Sequence, residues 1–325
     1  MGPRRTPAKA DCSFHPARAR NASSEKSPPL NIRFIANPRS GRVARALPAV
    51  RAFAARHGAG LVLTERPRHA SALAAAAVAD GCDLVVAVGG DGTMNEIASA
   101  LVGTAATLGL VPCGSGDGLG RHLGIHGPPA HALDILLNGR ARTIDTGVAD
   151  GKPFFTAAGI GFEAEVARRF NALTHRGFAR YLSTAFGTWR TWQPQEFAIT
   201  AGAARTTVRA FTLTVANANQ YGNNAYIAPA AALDDGQLNL CAVPPVTLWT
   251  GPGLAVRLFA GTLPRARRVV ALSGTHFVVE RPGPGPLHTD GEVHAAGARI
   301  EFSVRPASLR VMARPAAEIP APNRP

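Results

Sequence analysis

Lysine is nearly missing from this 325-residue chain: Lys9, Lys26 and Lys152 are the only three. None stands between Lys26 and Lys152, so the G-x-x-x-x-G-K-[ST] loop of P-loop nucleotidases has no counterpart there. Cysteine is scarce too. Cys12, Cys82, Cys113 and Cys241 lie far apart and make neither a C-x-x-C pair nor a disulfide framework, which points to a reducing compartment. No apolar run approaches the ~20 residues of a membrane-spanning helix. Arg4 and Arg5 are followed by no apolar signal segment. These absences predict a cytoplasmic protein.

Positive charge is abundant, at a formal net +14. The arginines are scattered, without a basic block interleaved with aromatics, which argues against nucleic acid as a partner. An anionic membrane surface fits the charge better. Hydrophobic residues make up 46% of the chain, enough at this length for a sizeable core and two domains.

The sharpest local signal is DLVVAVGGDGTMNEIASAL, residues 83–101. Residues 84–88 form a β-branched apolar run, as in a strand buried on both faces of a parallel sheet. Gly89, Gly90 and Gly92 then bracket Asp91, leaving the backbone free to approach a ligand closely. Thr93 is expected to open a helix, with Glu96 at capping-box spacing. Strand, glycine turn and helix N-terminus together predict an anion site. A carboxylate among phosphate-binding amides would repel phosphate unless a cation or a reacting hydroxyl lies between, so Asp91 points to phosphoryl transfer. With no lysine nearby, backbone amides, arginine and a metal ion would meet the phosphate charge.

Along the chain, residues 1–29 lack apolar periodicity and read as a disordered tail. Strands are expected at 31–36, 61–64, 84–88 and 108–111, with helices between them, giving an open α/β domain over 30–143 whose ligands gather at the carboxyl ends of its strands. Two more turns fall on that edge: one begins at Asn37 and includes Ser40, and the other carries Gly114, Ser115, Gly116, Asp117 and Arg121. From 144 to 313 short runs with period-two alternation predict a β-sandwich. Among them are 154–158, 208–216, 299–304 and 309–312. Phe178, Tyr181, Leu182, Ala185, Phe186 and Trp189 recur at helical spacing and are expected to pack on the sandwich. Residues 314–325 are expected to form a second tail. His69 and His122 lack the spacing of a zinc site.

Six pieces in order, NPRSG, TERPRHA, GGDGTMNE, PCGSGDGLGRHLG, ANANQYGNNAYIAPAAALDDGQLNL and HTDGE, resemble the diacylglycerol kinase catalytic-domain superfamily of soluble lipid kinases, which includes bacterial diacylglycerol kinases and sphingosine kinases. NAD kinases and phosphofructokinases share the GGDG piece, so the combination carries the resemblance. It implies ATP and a lipid alcohol, such as diacylglycerol or a sphingoid base, as substrates bound between an α/β domain and a sandwich. It also implies that Asn37, Ser40, Thr64 and the turn from Gly89 to Thr93 hold ATP, that Asp235 binds a structural Mg²⁺, and that Asp290 and Glu292 return to the cleft beside the nucleotide. Asp91 and Glu292 are the two candidates for the general base. Asp117 stands where the family commonly has Asn. An NAD kinase and a catalytically silent lipid- or nucleotide-binding module are the alternatives, peripheral membrane association is expected, and a homodimer stays open.

Overall fold

The computed structural model describes Gly2 and residues 30–173 and 178–314. Of the tails expected over 1–29 and 314–325, only Gly2 and Arg314 are among the described residues, and Cys12 lies outside them. Four parallel strands, β1 (Ile32–Ala36), β2 (Gly60–Leu63), β3 (Leu84–Gly89) and β4 (Thr107–Pro112), are arranged β2-β1-β3-β4. Every residue of β3 is buried, which is why this strand is an unbroken apolar run. The helices α1 (Val43–His57), α2 (His69–Ala79) and α3 (Asp91–Leu101) connect the strands, and the short α4 (Gly118–His122) and α5 (Pro129–Asn138) follow β4. α1 keeps its course past Pro48 and stops at Gly58, whose left-handed φ of 65° closes a bond from its N–H to the Ala54 carbonyl.

The remaining chain contributes β5 (Arg140–Ala149), β6 (Lys152–Phe154), β7 (Ala157–Gly161), α6 (Phe162–Asn171), α7 (Phe178–Thr191), β8 (Gln195–Ala201), β9 (Ala204–Ala210), β10 (Thr212–Ala216), β11 (Leu238–Val243), α8 (Gly251–Phe259), β12 (Val270–Gly274), β13 (His276–Glu280), β14 (Gly285–Thr289), β15 (Glu292–Ala296) and β16 (Arg299–Ala313). A six-stranded sheet, β12-β11-β10-β7-β14-β15, packs on the antiparallel half of a ten-stranded sheet. Phe154, Phe197, Phe277, Phe302, Ile160, Leu213 and Leu240 fill the space between them. The runs expected at 154–158 and 208–216 each divide between two strands.

β16 joins the parallel and antiparallel halves of the ten-stranded sheet. The runs at 299–304 and 309–312 belong to one strand with a register shift between Arg305 and Leu309, where Ala307 takes φ 48° beside Pro306. Its first half pairs with β13, and its last residues pair in parallel with β4 and bury Leu309, Val311 and Ala313 in the N-terminal core. Among the described residues no helix is long and apolar enough to cross a membrane.

Candidate functional site

Three turns leave the carboxyl ends of β1, β3 and β4 and interlock. The Cys113 N–H donates to Gly89 O at 2.7 Å, the Asn37 N–H to Val88 O at 3.1 Å and the Arg42 N–H to Cys113 O at 2.9 Å. Side chains reinforce the edge: Ser40 Oγ accepts the Gly90 N–H at 3.0 Å, and Asn37 Nδ2 donates to Thr93 Oγ1 at 3.3 Å. Thr64 is tied to the end of β1 by its N–H to Ala36 O at 2.9 Å. Asn37, Ser40, Thr64, Gly89, Gly90, Thr93 and Gly114 therefore stand along one edge. Ser115 is exposed beside them.

The helix after the glycines starts earlier than the capping-box spacing implies. α3 begins at Asp91 with Gly90 as its N-cap, and no side chain caps it. Thr93 is buried on Asn37, and Glu96 Oε2 accepts the Ala70 N–H at 3.1 Å, in the first turn of α2. The Thr93–Glu96 box is thus replaced by two contacts to other segments, which only the packing of α3 on α2 brings near.

Asp91 is occupied. Its Oδ2 accepts the Asp117 N–H and its Oδ1 the Gly118 N–H, both at 3.1 Å, so the carboxylate ties the GGDG turn to the next glycine loop. Burial pushes its pKa up, while these amides and Arg121 oppose the rise. Asp117 has φ 49° and accepts the Gly114 N–H at 3.2 Å. Burial, then the charge of Asp91, pushes the Asp117 carboxyl up to about 6. Arg121 Nε, expected to reach over the loop toward phosphates, donates to Gly116 O at 2.9 Å, and Arg42 Nη2 donates to Gly114 O at 3.2 Å. A cavity of about 390 Å³ opens against this loop, lined by Arg42, Arg45, Asp117, Arg121 and His126 among others.

The glycines divide by what surrounds them. A Cβ on Gly90 would sit 3.3 Å from Gly114 Cα and Ser40 Oγ, and one on Gly116 would sit 2.8 Å from Asp91 Oδ2. The protein's own packing accounts for both. A Cβ on Gly92 would meet no atom within 4 Å, so nothing in the fold excludes a side chain there. Gly92 lies in the first turn of α3, where free amides and the helix dipole favour an anion.

The hairpin between β14 and β15 brings the second pair of acids. Asp290, at φ 49°, accepts the N–H groups of Phe155 (2.8 Å), Thr156 (2.8 Å) and Ala157 (3.0 Å) and Asn95 Nδ2 (2.8 Å). Burial pushes its carboxyl up against those four donors. Asp290 was expected to return to the cleft beside the nucleotide; its oxygens clamp the sandwich to α3 through Asn95. Glu292 is exposed, with Oε1 3.1 Å from Arg68 Nη2 at the start of α2. Arg68, inside TERPRHA, and Asn95, inside GGDGTMNE, could not be singled out from sequence because their partners lie 224 and 195 residues away.

A further polar cluster also escaped the sequence. Glu163, at the start of α6, accepts Thr214 Oγ1 at 2.7 Å and Tyr221 OH at 2.5 Å, with His288 Nε2 at 3.4 Å. Burial first, and Glu163 second, raise the Tyr221 pKa well above the ordinary phenol value. The advance signals were Tyr221 inside the ANANQYGNN piece and His288 at the head of HTDGE.

Asp235 does not fit a cation cage. It is exposed, and its Oδ1 accepts the Gln237 N–H of its own turn at 2.9 Å. Asp234 is paired with Arg142 at 2.7 Å. Among the described residues no three acids, histidines or cysteines converge on a metal-sized space, at Asp235 or elsewhere. His69 and His122 accept the backbone N–H groups of Glu65 and Asn219.

The chain is similar to known proteins over most of its length. The diacylglycerol kinase catalytic domain matches residues 31–149, and the YegS C-terminal NAD kinase beta sandwich-like domain matches 156–313. A diacylglycerol kinase of Mycobacterium tuberculosis is 30% identical over 86% of this chain and 94% of its own length. A probable lipid kinase YegS-like of Pseudomonas aeruginosa is 31% identical over 72% of this chain and 78% of its own length. The chain spans only 55% of an uncharacterized Synechocystis protein, sll0036, to which it is 27% identical over 72% of its length. A solved diacylglycerol kinase structure from Bacillus anthracis superposes at TM-score 0.67 with 17% identity, over 90% of this chain and 99% of that one, and shows the same fold. By its domains and its relatives, the chain belongs to the diacylglycerol kinase catalytic-domain family.

Proposed function

We propose that the protein is an ATP-dependent lipid kinase that phosphorylates the hydroxyl of a membrane lipid such as diacylglycerol or a sphingoid base. The observation that carries this reading is the pairing of an open helix N-terminus at Gly92 with an acid, Glu292, that no backbone amide clamps. The amides of the first turn of α3 receive the phosphates. The cavity beside Arg42, Arg45 and Arg121 has the size and charge for the rest of the nucleotide.

Glu292 is the general base. It takes the proton of the lipid hydroxyl as that oxygen bonds to the γ-phosphorus and the bond to ADP breaks. Arg68 orients its carboxylate. Asp91 is a positioning residue, because both its oxygens already build the glycine loop. The lipid meets the enzyme at an anionic membrane surface, in keeping with the net charge of +14.

The test is a panel of lipid alcohols in detergent micelles with labelled ATP, and NAD as a separate acceptor. Labelled phospholipid supports the reading. Conversion of NAD to NADP without lipid phosphorylation overturns it in favour of an NAD kinase, and turnover of neither leaves a silent binding module.

A further inference from the structure

Nine large hydrophobic side chains are exposed among the described residues, and seven of them lie on two neighbouring segments. Tyr181, Leu182 and Phe186 are on α7, 43 to 60% exposed, although their helical spacing was expected to pack on the sandwich. Leu248, Trp249, Val256 and Phe259 are 70, 93, 69 and 57% exposed. A single exposed leucine is ordinary, but a contiguous group of this kind marks an interaction surface.

α8 is apolar on two faces. Leu254 and Leu258, four residues apart, pack on a core cluster, while Pro252, Val256 and Phe259 share the opposite side and none of the helix's residues is fully buried. The segments are tied together: Trp189 Nε1 on α7 donates to Val246 O at 3.2 Å, two residues before Leu248. α8 is also tied to the site. The Tyr226 N–H donates to Leu258 O at 3.0 Å, and Gly222 of the same loop bridges Asp117 in the glycine loop.

Charge selects the occupant. No Asp or Glu occurs between Asp235 and Glu280, whereas Arg257, Arg265, Arg267 and Arg268 are exposed there. None occurs between Glu165 and Glu196 either, where Arg180 and Arg190 are exposed on α7. A second copy of the chain would bring these arginines against one another. An anionic lipid surface neutralises them and takes up the apolar groups, with Trp249 at headgroup depth.

We infer that Leu248, Trp249, Val256 and Phe259, framed by Arg180 and Arg190 of α7 and by Arg257, Arg265, Arg267 and Arg268, form the face that docks on an anionic bilayer and brings the catalytic edge to its substrate. This rests on the lipid-kinase reading and deepens it. Docking needs both components: apolar insertion holds the face, and the arginines make it prefer anionic lipid.

The test is sedimentation of the full chain with vesicles of phosphatidylglycerol and phosphatidylcholine in equal parts, and with phosphatidylcholine alone. Wild type sediments with the anionic vesicles, less so as salt rises. Trp249→Ala combined with Phe259→Ser lowers that partitioning by roughly tenfold or more. Arg267→Gln with Arg268→Gln removes part of the preference for phosphatidylglycerol. Turnover of micellar lipid stays near wild type in each variant, because none of these residues touches the glycine turns or Glu292. Unchanged vesicle binding by the Trp249 and Phe259 variant overturns the inference. So does a lipid-free dimer that Trp249→Ala dissociates, which would make a second copy the occupant. If wild type docks through this face but phosphorylates no lipid in micelles, the surface stands and the lipid-kinase reading falls. If micellar turnover is normal and vesicle turnover survives the double variant, the surface alone falls.

Discussion

The GGDG turn and the DGE hairpin carry acids that look alike in sequence and differ in use. Each has one carboxylate clamped by backbone amides: Asp91 holds two, and Asp290 holds three together with Asn95. Only the hairpin adds an unclamped acid, Glu292, facing solvent beside Arg68. A carboxylate that satisfies several N–H groups is a structural fastener, and its desolvation is tolerated because those bonds exist. Under the proposed function, the exposed acid is the one left to accept a substrate proton.

Removing Asp290 should give the largest effect on stability. Asp290→Ala strands three backbone N–H groups and the Asn95 amide, and should lower unfolding stability by about 3–5 kcal/mol in urea titrations. A loss below ~1 kcal/mol would mean that the clamp is redundant.

Glu292→Gln should cut kcat by ~10²-fold or more while the melting temperature stays put. Asp91→Asn should behave oppositely: an amide cannot accept from both Asp117 and Gly118 with its nitrogen, so stability drops by about 1–3 kcal/mol and activity follows the loop. If Asp91→Asn left stability untouched yet abolished kcat, the two acids would exchange roles.

The glycines sharpen the comparison. Gly92→Ala should weaken ATP binding roughly tenfold, about 1.4 kcal/mol, without destabilising the helix, because the new Cβ enters only ligand space. Gly90→Ala should instead lower the melting temperature, since its Cβ presses on Gly114 and Ser40. Isothermal titration alongside thermal melts separates the two.

Asp117 supplies a pH test. Its carboxyl is raised from 3.8 to about 6 in the folded chain, so the native state favours the protonated form. That contribution is fully present below pH 3.8, is lost as pH rises through about 6, and leaves a cost above it. Asp117→Asn should therefore stabilise the protein at pH 8 by on the order of 2–3 kcal/mol and by little at pH 4. The smallest effect is expected at Asp235: Asp235→Asn, with or without magnesium, should stay within about 0.5 kcal/mol of wild type.

Much of the architecture was legible because it is written in local pattern. The parallel strands, α1 with its Gly58 stop and the three turns at one edge follow from apolar runs, glycine and helical spacing. β5, β14 and β15 were missed. β5 begins exposed and charged, and the hairpin of β14 and β15 has little apolar alternation, so neither announces itself before its partners are known. α7 was legible as an amphipathic helix, but not the fact that Tyr181, Leu182 and Phe186 stay exposed.

The sequence by itself determined the class of fold, the family resemblance and the residues around which the site is built, because strand burial and close backbone approach each demand particular residue types at fixed spacing. Only the tertiary structure decided what those residues do. Whether an aspartate faces a ligand or fastens two loops depends on amides that lie 26 residues away for Asp91 and 135 for Asp290. That choice is made by long-range pairings such as those of β16, whose one bulged strand joins the parallel and antiparallel halves of the ten-stranded sheet, and no local pattern encodes it.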